Sequence, residues 1–251
     1  MNLACVVLAA GKGSRMKGCV PKPLIQFEGR SFLEGALEAA KGANPDKICV
    51  VVRHEREKIE EEARKICPSC VFALQDEVPG TGRAMECALE VLKPSLSPDS
   101  LILVSASDIP LLSSCVLLSL LKAHKESGAA ATLLATKVED PFGYGRVITS
   151  TSGEVKGIVE EKDAGEEEKK VKLVNASVYA FNAGALLQAQ GKAERKNAQG
   201  EVYLTDLFMM CKKSGKIMAS LCRDPLLLRG VNDPCQLLDL KRDWERRQGR
   251  K

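Results

Sequence analysis

The chain has 251 residues, of which 45% are hydrophobic, 28% charged and 4% aromatic. That balance belongs to a globular protein able to bury a substantial core, and it excludes a disordered or fibrous one. A net charge of +4, from 37 basic and 33 acidic residues, is too small to argue for nucleic-acid binding.

The first apolar run, Ala4–Leu8, reads as a buried strand entering a glycine loop. Ser31–Gly42 reads as a helix with Ser31 at the N-cap and Glu34 three residues on, the pattern of a capping box. Ile48–Val52 is a second buried strand, Glu55–Ile66 a charged helix, Val71–Leu74 a third strand and Gly82–Leu92 a helix. Leu101–Val104 is a fourth strand, followed by a helix over Ser113–His124. Consecutive Val, Ile and Leu separated by helices predict a Rossmann-like α/β fold, a doubly wound sheet that is mixed but mostly parallel. Beyond residue 128 the strands Ala130–Ala135 and Val174–Phe181 enclose hairpin-like material, with turns at Gly143-Tyr-Gly-Arg146 and Thr151-Ser-Gly153 and a solvated run Glu160–Lys172. Pro234–Gln248 is the last helix, with Leu237, Leu238 and Trp244 on its apolar stripe and a basic tail after it.

No apolar stretch approaches the roughly 20 residues that span a bilayer. The N-terminus lacks the basic n-region of a secretory signal, and Gly11-Lys12-Gly13 ends its apolar run after one strand's length. A cytoplasmic protein with no membrane or nucleic-acid partner is expected. Of the 10 cysteines, only Cys67-Pro-Ser-Cys70 forms a CxxC. With no second ligand pair for zinc and no strand-to-helix setting for redox work, inert reduced thiols are expected. His54 and His124 both fall among charged residues and read as surface positions, which argues against a His-based triad.

The densest chemistry runs from Leu8 to Leu24. Small residues at 9–11 and 13 let backbone N–H groups approach an anion. The dinucleotide fingerprint fails, because Met16 stands in place of its third glycine and no acidic residue follows at the right distance. The P-loop fails as well, with Cys19 where its lysine belongs. What remains is a loop carrying Arg15 and Lys22, the latter stiffened between Pro21 and Pro23. Two cations beside a backbone nest suit a triphosphate that loses pyrophosphate, since negative charge develops there. Asp108 follows a buried strand, at the carboxyl end where open α/β sheets bind ligands, and its hard oxygen suits Mg²⁺. The amide of Gln75 can both donate to and accept from a base edge.

The run Leu-Ala-Ala-Gly-Lys-Gly-Ser-Arg-Met with Pro-Lys-Pro-Leu resembles the signature of the sugar-phosphate nucleotidylyltransferases. Other blocks resemble one branch of that family, the uridylyltransferase domain of bacterial N-acetylglucosamine-1-phosphate uridylyltransferase. They are Gln75 with Pro79-Gly80-Thr81, Ser107-Asp108-Ile-Pro-Leu111, Gly143-Tyr-Gly-Arg-Val147, Ile158–Ala164, Asn197-Ala-Gln-Gly-Glu-Val-Tyr-Leu-Thr-Asp206 and Gly230-Val-Asn232. They occur in the family's order across nearly the whole chain. The resemblance implies a nucleotide-diphospho-sugar transferase fold and a Mg²⁺-dependent reaction of UTP with a sugar-1-phosphate, giving UDP-sugar and pyrophosphate. It implies N-acetylglucosamine-1-phosphate as the sugar phosphate.

By the same resemblance, Arg15 and Lys22 are catalytic, and Leu8, Ala10, Gly11, Gly13, Gln75, Gly80 and Thr81 bind the nucleotide. Gly145, Glu160, Asn175, Tyr203 and Thr205 hold the sugar phosphate, and Asp108 and Asn232 the metal. The chain departs from the family at Ser107 (usually Gly), Ala176-Ser177 (Thr-Gly), Arg83 (His) and Asp233-Pro234. A cytidylyl- or other nucleotidylyltransferase of the same fold, and a non-catalytic sugar-nucleotide-binding domain, are the alternatives. Residues 1–251 are expected to form one domain, with a nucleotide half to about 128, a sugar-phosphate half over about 129–232 and a C-terminal helix and tail over 233–251. No hexapeptide repeat follows residue 232. No acetyltransferase activity or trimerisation domain is therefore expected, and a monomer or weak dimer is.

Overall fold

The computed structural model describes residues 2–16, 18, 20–195 and 197–249. Cys19 and the end of the basic tail lie outside them. The first half runs β1 (Leu3–Leu8), β2 (Gln26–Phe27), β3 (Arg30–Ser31), α1 (Phe32–Gly42), β4 (Lys47–Val52), α2 (Arg56–Ile66), β5 (Val71–Leu74), α3 (Thr81–Leu92), β6 (Leu101–Ala106) and α4 (Ser114–Ser127). The second half runs β7 (Ala131–Lys137), β8 (Arg146–Thr149), β9 (Val155–Val159), α5 (Glu166–Lys169), β10 (Leu173–Asn182), α6 (Ala183–Ala189), α7 (Leu204–Met210), β11 (Ile217–Cys222) and α8 (Pro234–Arg247).

Strands made of consecutive Val, Ile and Leu lie at the centre because both of their faces need cover. The main sheet has the order β11-β7-β10-β6-β1-β4-β5, with the β8–β9 hairpin attached to β10. β1 pairs in parallel with both β4 and β6, and β4 with β5. β10 is antiparallel to β6 and β7, whereas β11 is again parallel to β7. The doubly wound, mixed sheet expected from the pattern is therefore present.

Two apolar layers cover the sheet. Leu33, Leu37, Ile59, Leu117 and Leu120 from α1, α2 and α4 pack on one face. Met85, Leu89, Leu186, Leu207 and Phe208 from α3, α6 and α7 pack on the other. The capping box of α1 forms as expected, with Ser31 Oγ accepting from Glu34 N at 3.0 Å and Glu34 Oε2 from Ser31 N at 3.3 Å.

Three expectations need correction. His124 is buried rather than exposed, its ring bonded to Thr132 Oγ1 at 2.9 Å and Asn182 Oδ1 at 3.0 Å. On α8 Leu238 is exposed, while Leu237 and Trp244 pack beside the buried Leu240, which is the centre of the true stripe. Glu160 is not part of a solvated run, as its surroundings below show. Cys67 and Cys70 are buried free thiols, and burial pushes Cys70 up to about 11, far from a reactive thiolate. Among the described residues, no group of three or more His, Cys, Asp or Glu could hold a metal ion, and no helix is long and apolar enough to cross a membrane.

Candidate active site

The chain leaves β1 through α1 to β4 on one side, and later places β6 on the other side of β1. Leu8 and Ala106 end these two strands in register, with Ser107 N donating to Leu8 O at 3.0 Å. The loops that follow diverge, opening a crevice at the carboxyl ends of the strands. Asp108 stands in it.

The glycine loop reaches the same crevice. Gly13 has φ +62°, and a Cβ there would lie 2.7 Å from Lys22 Cβ. Only glycine allows the loop to rest on the lysine stem. Lys22 opens a tight turn between Pro21 and Pro23. Its ammonium pairs with Asp108 Oδ2 and donates to Asn232 Oδ1 at 2.8 Å. Arg15 reaches the same Asn232 oxygen at 3.3 Å. Asn232 is brought in by Val231 N, which donates to Asp108 O at 2.9 Å, and is held by Gln236 Oε1, which accepts from Asn232 N at 2.7 Å. Four residues from three well-separated segments of the chain thus surround one point.

Two cavities meet at Asp108. The first, about 330 Å³, is lined by Leu8, Ala10, Gly11, Lys22, Gln75, Gly80 and Thr81. Gln75 is buried, and its Nε2 donates to Val78 O at 2.9 Å and Gly80 O at 3.1 Å. Both neighbours are acceptors, so the side-chain oxygen must face the other way. Gly80 has φ +115°, and its missing Cβ would fall 2.2 Å from Val202 O. Val202 N donates to Pro79 O at 3.0 Å and Gly82 N to Val202 O at 2.8 Å. Thr81 Oγ1 accepts from Leu204 N at 3.1 Å. The turn at 79–82 is thereby fastened to the segment entering α7.

The second cavity, about 270 Å³, is lined by Gly145, Glu160, Asn175, Tyr203 and Thr205, and also by Arg15 and Asn232. Thr205 Oγ1 donates to Glu160 Oε1 at 2.9 Å. Burial raises the Glu160 carboxyl above its usual range, opposed by the Thr205 bond and assisted by Asp206, Asp163 and Glu201. Asn175 Nδ2 donates to Tyr179 OH at 2.6 Å, and Asn175 Oδ1 accepts from Ser177 N at 3.1 Å. Ser177 has φ +56° within a bulge of β10 and lines the cavity. Gln199 Nε2 donates to Tyr203 OH at 2.8 Å. The wall at 143–145 is braced by Arg146, fully buried and paired with Glu161 at 2.6 Å, whose Oε2 also accepts from Gly143 N at 3.0 Å.

Every site residue expected from the sequence lines one of these cavities, apart from Gly13, which supports Lys22 from behind. Lys12, Arg53 and His54 also line the first cavity, and Glu201 lines both. Sequence reasoning missed them. Arg53 and His54 directly follow a buried strand, the same signal that singled out Asp108. Burial and the cations Arg53 and Lys12 hold His54 below the ordinary histidine value, hence neutral at pH 7. A larger groove of about 670 Å³ lies between residues 136–144 and α8; of its cations, Arg229, Arg242 and Arg246 are paired with Asp243 and Asp239, and Lys137 also lines it.

Residues 5–173 match the profile of the MobA-like NTP transferase domain. The chain is 46% identical over 245 residues to a "Bifunctional protein GlmU" of Kineococcus radiotolerans, covering 97% of this chain and 49% of that one. It is 44% identical over 244 residues to a protein of the same name from Bifidobacterium longum subsp. infantis, covering 97% and 53%. The chain thus spans about half the length of these relatives. Among solved structures, a UDP-glucose pyrophosphorylase complexed with UDP-glucose superposes with a TM-score of 0.77 at 17% identity, covering 98% of this chain and 100% of that one. A putative glucose-1-phosphate thymidylyltransferase from Bacillus anthracis gives 0.73 at 16%, covering 96% and 94%. At such identities these two show a shared fold.

Proposed function

The chain belongs to the MobA-like NTP transferase domain family, and from that premise we propose that it joins UTP to a sugar-1-phosphate, releasing pyrophosphate and leaving UDP-sugar. The observation that carries the proposal is the junction at Asp108, where two cavities meet and two cations converge. One cavity takes the nucleoside and the other the sugar, so both phosphates are directed to the same point. The sugar-phosphate oxygen attacks the α-phosphorus of UTP. A new P–O bond forms as the bond to the bridging oxygen of pyrophosphate breaks, and the electron pair leaves with pyrophosphate. The attacking oxygen is already anionic, so no protein base is required.

Arg15 and Lys22 lower the barrier by facing the charge that develops on pyrophosphate, and the N–H groups of the glycine loop add a fixed nest. Asp108 and Asn232 already present two oxygens to a single ammonium. A hard cation with oxygen ligands therefore fits between them, and we assign Mg²⁺ to that pair. What magnesium supplies when bound is charge neutralisation and alignment of the phosphates. The oxygen of Gln75, its amide hydrogens already engaged, accepts from N3–H of uracil. Cytosine presents an acceptor at that position, so UTP is preferred over CTP.

In the second cavity Glu160, Asn175, Tyr203 and Thr205 face the sugar, for which N-acetylglucosamine-1-phosphate is the proposed substrate. Small molecules as sole partners, a cytoplasmic setting and a monomer or weak dimer complete the reading. The test is pyrophosphate release with Mg²⁺ across panels of nucleotides and sugar-1-phosphates. Release with UTP and N-acetylglucosamine-1-phosphate is expected. Release with CTP alone would replace the reading with a cytidylyltransferase, and silence across the panels would replace it with a non-catalytic binding domain.

A further inference from the structure

Arg83 lies on the first turn of α3, outside both cavities, yet it is the most heavily bonded cation near them. Its Nε and NH2 form a fork on Asp76, with contacts of 3.0 and 2.8 Å to Oδ2 and 3.2 Å to Oδ1. On its other side NH1 donates to Glu86 Oε2 at 3.0 Å. Asp76 belongs to the base-reading loop: its Oδ1 accepts from Val78 N at 3.0 Å, and Val78 O receives the Gln75 amide. Glu86 is buried, and its Oε1 accepts from Gly191 N at 2.8 Å. Gly191 begins the segment between α6 and α7 that carries Gln199, Glu201 and Tyr203 to the sugar side.

We propose that Arg83 is a positioning residue for both substrates, fixing the base-reading loop and the sugar-side segment to one guanidinium so that the two cavities are energetically linked. The planar fork is essential to this. Asp76 takes two of its nitrogens and Glu86 a third, an arrangement that the point charge of a lysine cannot reproduce. Burial of Glu86 keeps the link closed, because an unpaired carboxylate there would be costly. The Arg83 bond accordingly holds the Asp76 carboxyl below its usual range. Hydrogen bonds at Val202 and Thr81 join the same two segments nearer the junction, so the link has both a polar and a backbone strand.

The inference rests on the functional reading above, and the experiment separates the two. Pyrophosphate release is measured with UTP and N-acetylglucosamine-1-phosphate varied separately, on wild type, Arg83→Lys, Asp76→Asn and Glu86→Gln. Thermal melting is followed alongside. Asp76→Asn should raise KM mainly for UTP and Glu86→Gln mainly for the sugar phosphate. Arg83→Lys should raise both by about three- to tenfold, because Asp76 is half exposed and the lost bonds act on each substrate only through the loop they hold, with kcat within about twofold. Arg83→Lys with both KM values unchanged, or with kcat lowered at constant KM, overturns the proposal. If wild type releases no pyrophosphate from any pair, the functional reading fails on its own. Amide exchange still decides the link in that case. Segments 75–80 and 190–195 should lose protection together in Arg83→Lys, and loss on one side only, or on neither, refutes it.

Discussion

A methyl group added at Gly80 tests how tightly the two cavities are joined. The residue holds φ +115°, and the added Cβ would lie 2.2 Å from Val202 O and 2.7 Å from Val202 N. Both are backbone atoms in a segment fixed by bonds of 2.8 and 3.0 Å to Gly82 and Pro79, so neither can turn aside. Two costs add. An L-residue at positive φ costs on the order of 1–2 kcal/mol. Forcing an atom into packed space costs about 1–3 kcal/mol more. The sum is about 2–5 kcal/mol, and in a chain of this length each kcal/mol moves Tm by about 2–4 °C. Gly80→Ala should therefore melt about 10 °C lower, with KM raised for both substrates. Gly29→Ala is the control for backbone strain alone, with φ +81° and open space, and should lose only about 1 kcal/mol. A Cβ at Gly11 also meets open space, but in the first cavity. Gly11→Ala should leave melting unchanged and raise KM for UTP. Calorimetry and initial rates check all three. A Gly80→Ala protein that melts no lower than Gly29→Ala would refute the argument from close approach.

Lys22→Ala removes a cation aimed at the leaving group, and kcat should fall about 10²- to 10³-fold; turnover near wild type would show that the lysine has no such role. Glu160→Gln should weaken sugar-phosphate binding yet stabilise the protein at pH 7. The folded carboxyl titrates above its unfolded value because burial penalises its charge, so stability from this group is full below the unfolded value and lost as pH rises through the folded one. Melting of the variant against wild type should therefore gain at pH 7 and show no gain at pH 4, and an equal gain at both would contradict the burial argument. His124 has the opposite sign. Burial depresses its folded value from 6.5, so native stability is complete above 6.5 and declines as pH falls below it. The drop in urea midpoint from pH 7 to pH 5 should be smaller in His124→Gln than in wild type, and an equal change in both would contradict the assignment.

The central strands were legible because β1, β4 and β6 are apolar on both faces, a pattern that only a covered sheet requires. β6 nevertheless continues past the apolar run, since Ser105 and Ala106 gain partners on β1, and Ser105 one on β10, that no local pattern shows. β11 escaped notice for a related reason: it pairs along its length with β7 alone, meets only an isolated bridge from Glu154 on the other side, and exposes Leu221, so its alternation is weak. His124 was misread from its charged neighbours, although Leu117, Leu120, Leu121 and His124 share one helix face at spacings of three and four. The stripe on α8 likewise follows Leu237, Leu240 and Trp244, leaving Leu238 off it. Of the site, the glycine loop and Asp108 could be argued from residue chemistry alone. The pairing of Asp108 with Asn232 could not, because it depends on a loop returning from the far end of the chain; only the family resemblance pointed to it.

The reversed direction of β10 explains how the sheet gains a second cavity beside the first. A parallel strand beside β6 would bring a carboxyl-terminal loop to the crevice. An antiparallel one brings its own amino-terminal half, so that Val178 pairs with Ser105 and Asn175–Ser177 lie beyond the end of β6, next to Asp108. Groups facing the second cavity are consequently held on a strand as well as on loops, which limits their motion. The register shift against β7 between Asn175 and Tyr179 places Ser177 at φ +56°, and Asn175 Oδ1 accepts its N–H. Strain of that kind persists only where the surroundings impose it. Here they do, because flattening the bulge would change the register of every later β10 residue against β7 and would withdraw Asn175 from the cavity. The chain therefore holds a serine in a conformation that favours glycine, in the wall of the cavity that Asp108 and Asn232 also line.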